Sequence, residues 1–326
     1  MTGARALAAA AVLAALAAAP RPAGAFTRMH TPDGVALWWP SNCAYFTLDA
    51  AGSDDLPLDL LASAVVGSFN AWQSAPDAYI TFQYNGLEAG LSAGWMGGGP
   101  DEDVIKFIEA DWTNSGDPEN PRPTGAIALT QVFFDPPTGV IKGADMELNG
   151  ADFTFTITTD PLVVQADVAN TVTHEAGHFI GIGHNCYAPG SGLNPGEAPN
   201  CDTDPPLIEA TMYWQAPLGE LKKRSLEADD VAAVSFVYPL ADDPGRCEEP
   251  GFTPGNGGGT CNACAVGAAV AGGARGGDAR SRAARDTVTV LALLAAAVVA
   301  ARRRRGRACE RHGRHPGVGR QSSETA

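Results

Sequence analysis

Hydrophobic and polar positions divide this chain into elements before any chemistry is considered. Ala44–Leu48 alternates at period two, as a half-buried strand does. From Pro57 to about Ser74 the period lengthens to 3.6. Leu60, Leu61, Ala64, Val65, Ser68, Phe69 and Trp72 fall on one stripe, which predicts a helix. Tyr79–Tyr84 reads as a strand, Leu87–Pro100 as a glycine-rich loop and Val104–Ile108 as a short apolar strand. Residues 113–124 are turn-rich. Ala126–Phe134 and Ile141–Leu148 predict two more strands, joined through Asp135-Pro136-Pro137-Thr138-Gly139. A helix is expected to begin between Asp160-Pro161, a good N-cap and N1 pair, and Asp167. A last helix, roughly Leu226–Tyr238, turns Leu226, Val231, Val234 and Val237 inward. The strands come first and the helices concentrate later, which predicts an α+β fold with a mixed sheet.

The two ends read differently. Arg5, the apolar run Ala6–Ala19 and the small residues Ala23-Gly24-Ala25 make residues 1–25 a signal peptide with a cleavage site. Residues 26–240 are then one domain of about 215 residues, enough for a real core. Residues 241–286 are rich in Gly, Pro and Ala and suit a linker or stalk. Residues 287–305 hold an apolar run, Thr287–Ala301, followed by Arg302-Arg303-Arg304-Arg305. That run is 15 residues, short of the roughly 20 that cross a bilayer comfortably, and the arginines fit a cytoplasmic stop. A basic tail, 306–326, completes the chain.

Charge separates body from tail. Residues 26–250 carry 8 basic and 33 acidic side chains, a balance of −25, whereas 12 of the 22 basic residues follow residue 270. So acidic a body argues against nucleic-acid binding. Carboxylates are also the ligands calcium takes, so Ca²⁺ is a second candidate ion. Export makes disulfides plausible. Cys186 and Cys201 bracket a Gly/Pro/Asn-rich loop that a bridge would close, while Cys43, Cys247 and Cys261 allow more than one pairing.

The chemistry concentrates in one segment. Of six histidines, three lie in His174-Glu175-Ala176-Gly177-His178-Phe179-Ile180-Gly181-Ile182-Gly183-His184. His174 and His178, four apart, share one helix face and can grip a single Zn²⁺. Glu175 can reach a water there as general base. Gly181 can take the left-handed conformation that ends the helix, which lets His184 return as third ligand. Three protein ligands leave a fourth position open, as in a catalytic rather than a structural zinc site.

At this point the chain resembles the metzincin zinc endopeptidases, most closely the matrixin branch. HEAGHFIGIGH carries the resemblance, with Ala210-Thr211-Met212-Tyr213 similar to the Met-turn. Leu226-Glu227-Ala228-Asp229-Asp230 with Tyr238 is similar to the closing helix, and Ser68-Phe69-Asn70-Ala71-Trp72 to the first. The resemblance implies a zincin fold: a twisted mixed sheet, an edge strand at Gly125–Phe134 that pairs with an extended peptide substrate, a motif helix, a Met-turn and a C-terminal helix. It implies Met212 beneath the ligands, with Gly181 and Tyr213 as structural support. Asn185 stands where matrixins usually carry serine, and Trp214 where proline often follows. Only His30 precedes the motif, so one catalytic zinc is expected and no second, structural one. Cys43 does not match the family's inhibitory cysteine pattern. The tail resembles the C-terminal sorting signals of myxobacterial surface proteins, which would make Cys261 or Cys264 the processed residue. The expectation is a monomeric, exported endopeptidase at the cell envelope, anchored by its C-terminal segment or released. The competing expectation is a non-catalytic, zinc-stabilised surface-binding module.

Overall fold

The computed structural model describes residues 25–95, 102–115, 121–160, 162–203, 205–247 and 319–325. The expected signal peptide up to Gly24, Pro161, the membrane segment 287–305, Cys261 and Cys264 lie outside the described residues. So do most of the 241–286 linker and of the 306–326 tail.

In chain order the elements are β1 (Thr27–Arg28), β2 (Cys43–Asp49), α1 (Leu58–Gln73), β3 (Thr81–Glu88), β4 (Val104–Ile108), β5 (Ala128–Phe134) and β6 (Ile141–Asn149). Then come β7 (Phe155–Thr156), β8 (Ala166–Asp167), α2 (Val168–Phe179), β9 (Ile182–Gly183), α3 (Ala228–Val237) and β10 (Gly319–Thr325). Six strands form one mixed sheet in the order β10-β5-β6-β4-β2-β3. β2, β3, β4 and β6 run parallel to one another, whereas β5 is antiparallel to both β6 and β10. A mixed sheet with a few helices is the α+β arrangement expected. The strand expected at the edge, however, is not the edge. β10 pairs along all of β5, from Gly319 opposite Phe134 to Thr325 opposite Ala128.

Helix α1 forms where the 3.6-residue stripe placed it. Leu61, Val65, Ser68, Phe69 and Trp72 are its buried face, while Leu60 is exposed. Phe69 stacks on Phe46 of β2 at 4.0 Å and meets Phe179 of α2 edge-on at 5.4 Å. The Trp72 indole donates to the Thr173 carbonyl at 2.7 Å, tying α1 to α2. The Trp39 indole donates to the Phe179 carbonyl at 2.8 Å, and the Tyr238 hydroxyl to that of Ile180, also at 2.8 Å. These buried aromatic donors fix the C-terminal end of α2 in an otherwise apolar core, where an unpaired polar group is costly.

The body continues past Leu240. Cys43 and Cys247 form a disulfide, and Asn42 donates its backbone N–H to Arg246 at 3.0 Å. A second disulfide joins Cys186 and Cys201. Two such bridges fit an oxidising, extracellular environment. Among the described residues no helix is long and apolar enough to cross a membrane.

Candidate metal centre

Helix α2 presents the site. Its N-cap is Asp167, whose carboxylate accepts from the Asn170 N–H at 2.8 Å and is gripped by Arg224 at 2.5 and 2.8 Å. His174 and His178 follow one turn apart, both fully buried. The helix ends at Phe179, and Gly181 turns the chain with φ +80°. A Cβ on Gly181 would also lie 2.9 Å from the Leu37 carbonyl oxygen, so glycine is required twice over. β9 then pairs antiparallel with β1 and delivers His184.

The three imidazoles converge. Nε2 of His178 lies 3.1 Å from Nε2 of His174 and 3.1 Å from Nε2 of His184, and the third separation is 3.3 Å. The opposite ring nitrogens all face main-chain carbonyls. His174 Nδ1 meets Thr211 O at 2.5 Å, His178 Nδ1 meets Ile182 O at 2.8 Å, and His184 Nδ1 meets Ser191 O at 2.5 Å. A carbonyl only accepts, so each Nδ1 carries the proton and each neutral Nε2 presents a lone pair. Three lone pairs at such separations repel unless a cation stands between them. Tetrahedral coordination with metal–nitrogen bonds of 2.0–2.1 Å sets ligand nitrogens about 3.3–3.4 Å apart, close to the spacing observed. The group could therefore hold a metal ion. Among the described residues no other group of three or more His, Cys, Asp or Glu side chains converges, so a calcium site has no such side-chain cage there.

Burial pushes the His174 and His178 rings well below the usual histidine range. For His174 the next cause is the Lys223 ammonium, for His178 the His184 ring, and both stay neutral as ligands must. Glu175 is fully buried, and its carboxylate accepts from the Thr130 hydroxyl of β5 at 2.6 Å. Lys223 is fully buried too, and its ammonium donates to the Tyr213 and Gln215 carbonyls at 2.7 and 2.5 Å. Burial lowers its pKa to about 8, against the raising effect of Glu220 and Glu175.

Met212 is buried directly below α2. A Cβ on Gly177 would lie 2.3 Å from its sulfur. Asp230, in the first turn of α3, holds the turn that carries it, accepting from the N–H of Thr211 at 2.8 Å, Met212 at 3.0 Å and Glu227 at 2.8 Å. Burial raises the Asp230 carboxyl to about 6, although these donors favour the carboxylate. Tyr213 is part-buried, with its hydroxyl bonded to Gln215 at 3.2 Å. The Cys186–Cys201 bridge closes the loop whose Ser191 carbonyl orients His184. A cavity of about 500 Å³ opens beside His178 and His184.

Sequence reasoning missed Thr130, Ser191, Thr211 and Lys223 as parts of this centre. Asp230 carried a signal of its own, since Glu227 and Asp230 have capping-box spacing. Compared with protein-family models and with curated proteins, the chain matches none.

Proposed function

We propose that this chain is an exported zinc-dependent endopeptidase of the metzincin type, similar to the matrixins, that hydrolyses extended peptides. The observation that carries the reading is the set of three neutral Nε2 atoms at tetrahedral spacing, with a buried carboxylate on the residue after His174. Three nitrogen ligands from one helix and the turn after it suit zinc and leave a fourth position for substrate or water. Zinc bound there supplies Lewis acidity toward water and toward a peptide carbonyl. Glu175 takes a proton from the attacking water and returns it to the leaving amine. The Thr130 hydroxyl, bonded to one carboxylate oxygen, helps fix the orientation of Glu175 for that transfer. Met212, lodged against Gly177, supports the helix turn between the two histidines. An extended peptide lying along β5 aligns its scissile bond by main-chain pairing. Export, with an envelope anchor or release, is the localisation proposed with it.

The test is direct. The secreted chain should hold one equivalent of zinc by elemental analysis and cleave denatured protein in a chelator-sensitive way. Glu175→Gln should keep the zinc and lose turnover by several orders of magnitude. A Glu175→Gln chain that hydrolyses at the parental rate would refute the assignment, and so would a purified chain without metal.

A further inference from the structure

The outer side of β5 is where a peptide would add to the sheet beside the metal centre, and it is filled by the chain itself. β10 runs antiparallel to β5 in unbroken register over seven residues. Ser323 stands opposite Thr130, the residue that orients Glu175. Arg320, Gln321 and Ser322 line the same cavity as His178 and His184. The sequence of this strand is Gly-Arg-Gln-Ser-Ser-Glu-Thr, in which only Thr325 is of a strand-favouring type. No apolar face drives it into place. Main-chain hydrogen bonds hold it, the same bonds that a substrate peptide would use.

We infer that residues 319–325 are a built-in competitive inhibitor, a C-terminal strand that occupies the peptide-docking edge of β5 and must leave before substrate can bind. Tethering makes the contact intramolecular, so a weak strand suffices to outcompete dilute peptides. It is a form of latency that needs no inhibitory cysteine. The inference rests on reading the centre as a peptidase, but its binding arm does not depend on catalysis.

The full chain is compared with one ending at Val318, each also carrying Glu175→Gln. A fluorescein-labelled peptide of residues 319–325 should bind the truncated chain at least 10-fold more tightly than the full chain. β5 amides facing away from β6 should exchange faster after truncation. In the full chain, Ser322→Pro and Ser323→Pro are made singly. Alternate amides face the partner strand, so one of the two must lose a ladder donor and behave like the truncation. With Glu175 intact, truncation should raise kcat/KM for peptide substrates at least 10-fold, and the free peptide should raise KM without changing kcat. Equal peptide binding and unchanged exchange would overturn the inference. Equal hydrolysis by both chains despite a difference in binding would overturn its inhibitory part. Prompt removal of residues 319–325 by the chain itself would also overturn it, making the strand a substrate. If neither chain hydrolyses any peptide while the binding difference holds, the peptidase reading fails and the docked strand stands.

Discussion

The Thr130 hydroxyl lies 2.6 Å from a carboxylate oxygen of Glu175, joining the middle of β5 to the motif helix, with both residues fully buried. Thr130→Val keeps the shape and removes the donor. The carboxylate should lose its fixed orientation while the histidines stay in place. Turnover should fall about 10-fold or more with zinc content unchanged, and stability should drop by about 1–3 kcal/mol. Turnover and elemental zinc measured on the same sample check this, and unchanged turnover would show that Thr130 does not position Glu175.

Gly177→Ala sets two effects against each other. Alanine favours a helix over glycine by about 1 kcal/mol. Its Cβ, however, would lie 2.3 Å from the Met212 sulfur and 2.7 Å from Trp72 Cζ2. The methionine can move, but the indole is pinned by its bond to Thr173. Overpacking at about 1–3 kcal/mol should outweigh the helix gain, giving net destabilisation and weaker metal binding. Denaturant unfolding decides it; a stabilised variant would mean that the floor beneath the helix is loose.

Acid should unload and destabilise the protein together. His174 and His178 are held well below the histidine range, chiefly by burial. Below about pH 6.5 the unfolded chain takes up protons that the folded chain does not. The stability these rings contribute is therefore fully present above that pH and lost as the pH falls below it. Thermal melts of the metal-free chain from pH 8 to pH 5 should show Tm falling below about 6.5, and zinc retention should fall over the same window. His178→Phe should flatten the lower part of the melt profile.

The Cys186–Cys201 bridge spans 15 residues. Closing a loop of that size stabilises by about 3 kcal/mol through lost unfolded-chain entropy. Replacing both cysteines with serine should cost about that much. It should also weaken metal binding about 10- to 100-fold, because the Ser191 carbonyl that orients His184 sits on the freed loop. Peptide mapping without reduction should find this pair and Cys43–Cys247; free thiols at 186 and 201 would contradict the arrangement.

What could be read from sequence follows from what holds each part in place. Helix α1 and β4 are held by apolar faces, and their patterns gave them away. Two N-cap candidates competed for the motif helix. Asp160 caps only a turn, accepting from Leu162, and Asp167 starts the helix. The expected strand at Tyr79–Tyr84 slides to Thr81–Glu88 because the Tyr79 N–H is spent on the Tyr238 carbonyl, outside the sheet. Of the inward residues expected on the last helix, Val234 is fully buried, while Val231 and Val237 are only partly so. The metal ligands were legible because histidine is scarce and its chemistry specific. Their partners Thr211, Ile182 and Ser191 were not, since they contribute carbonyls that any residue could supply. β10 was invisible for the same reason: it is held by its backbone.

The place of β10 in the chain has a topological consequence. Its partner β5 precedes residues 287–305, and β10 follows them. If that apolar stretch lay across a bilayer with its arginines inside, the two strands would stand on opposite faces of the membrane and could not meet. Insertion and strand pairing therefore exclude one another in any single molecule. A chain threaded once through the membrane by that stretch has a β5 that its own β10 does not cover, and a chain whose β10 covers β5 is not held by such a crossing.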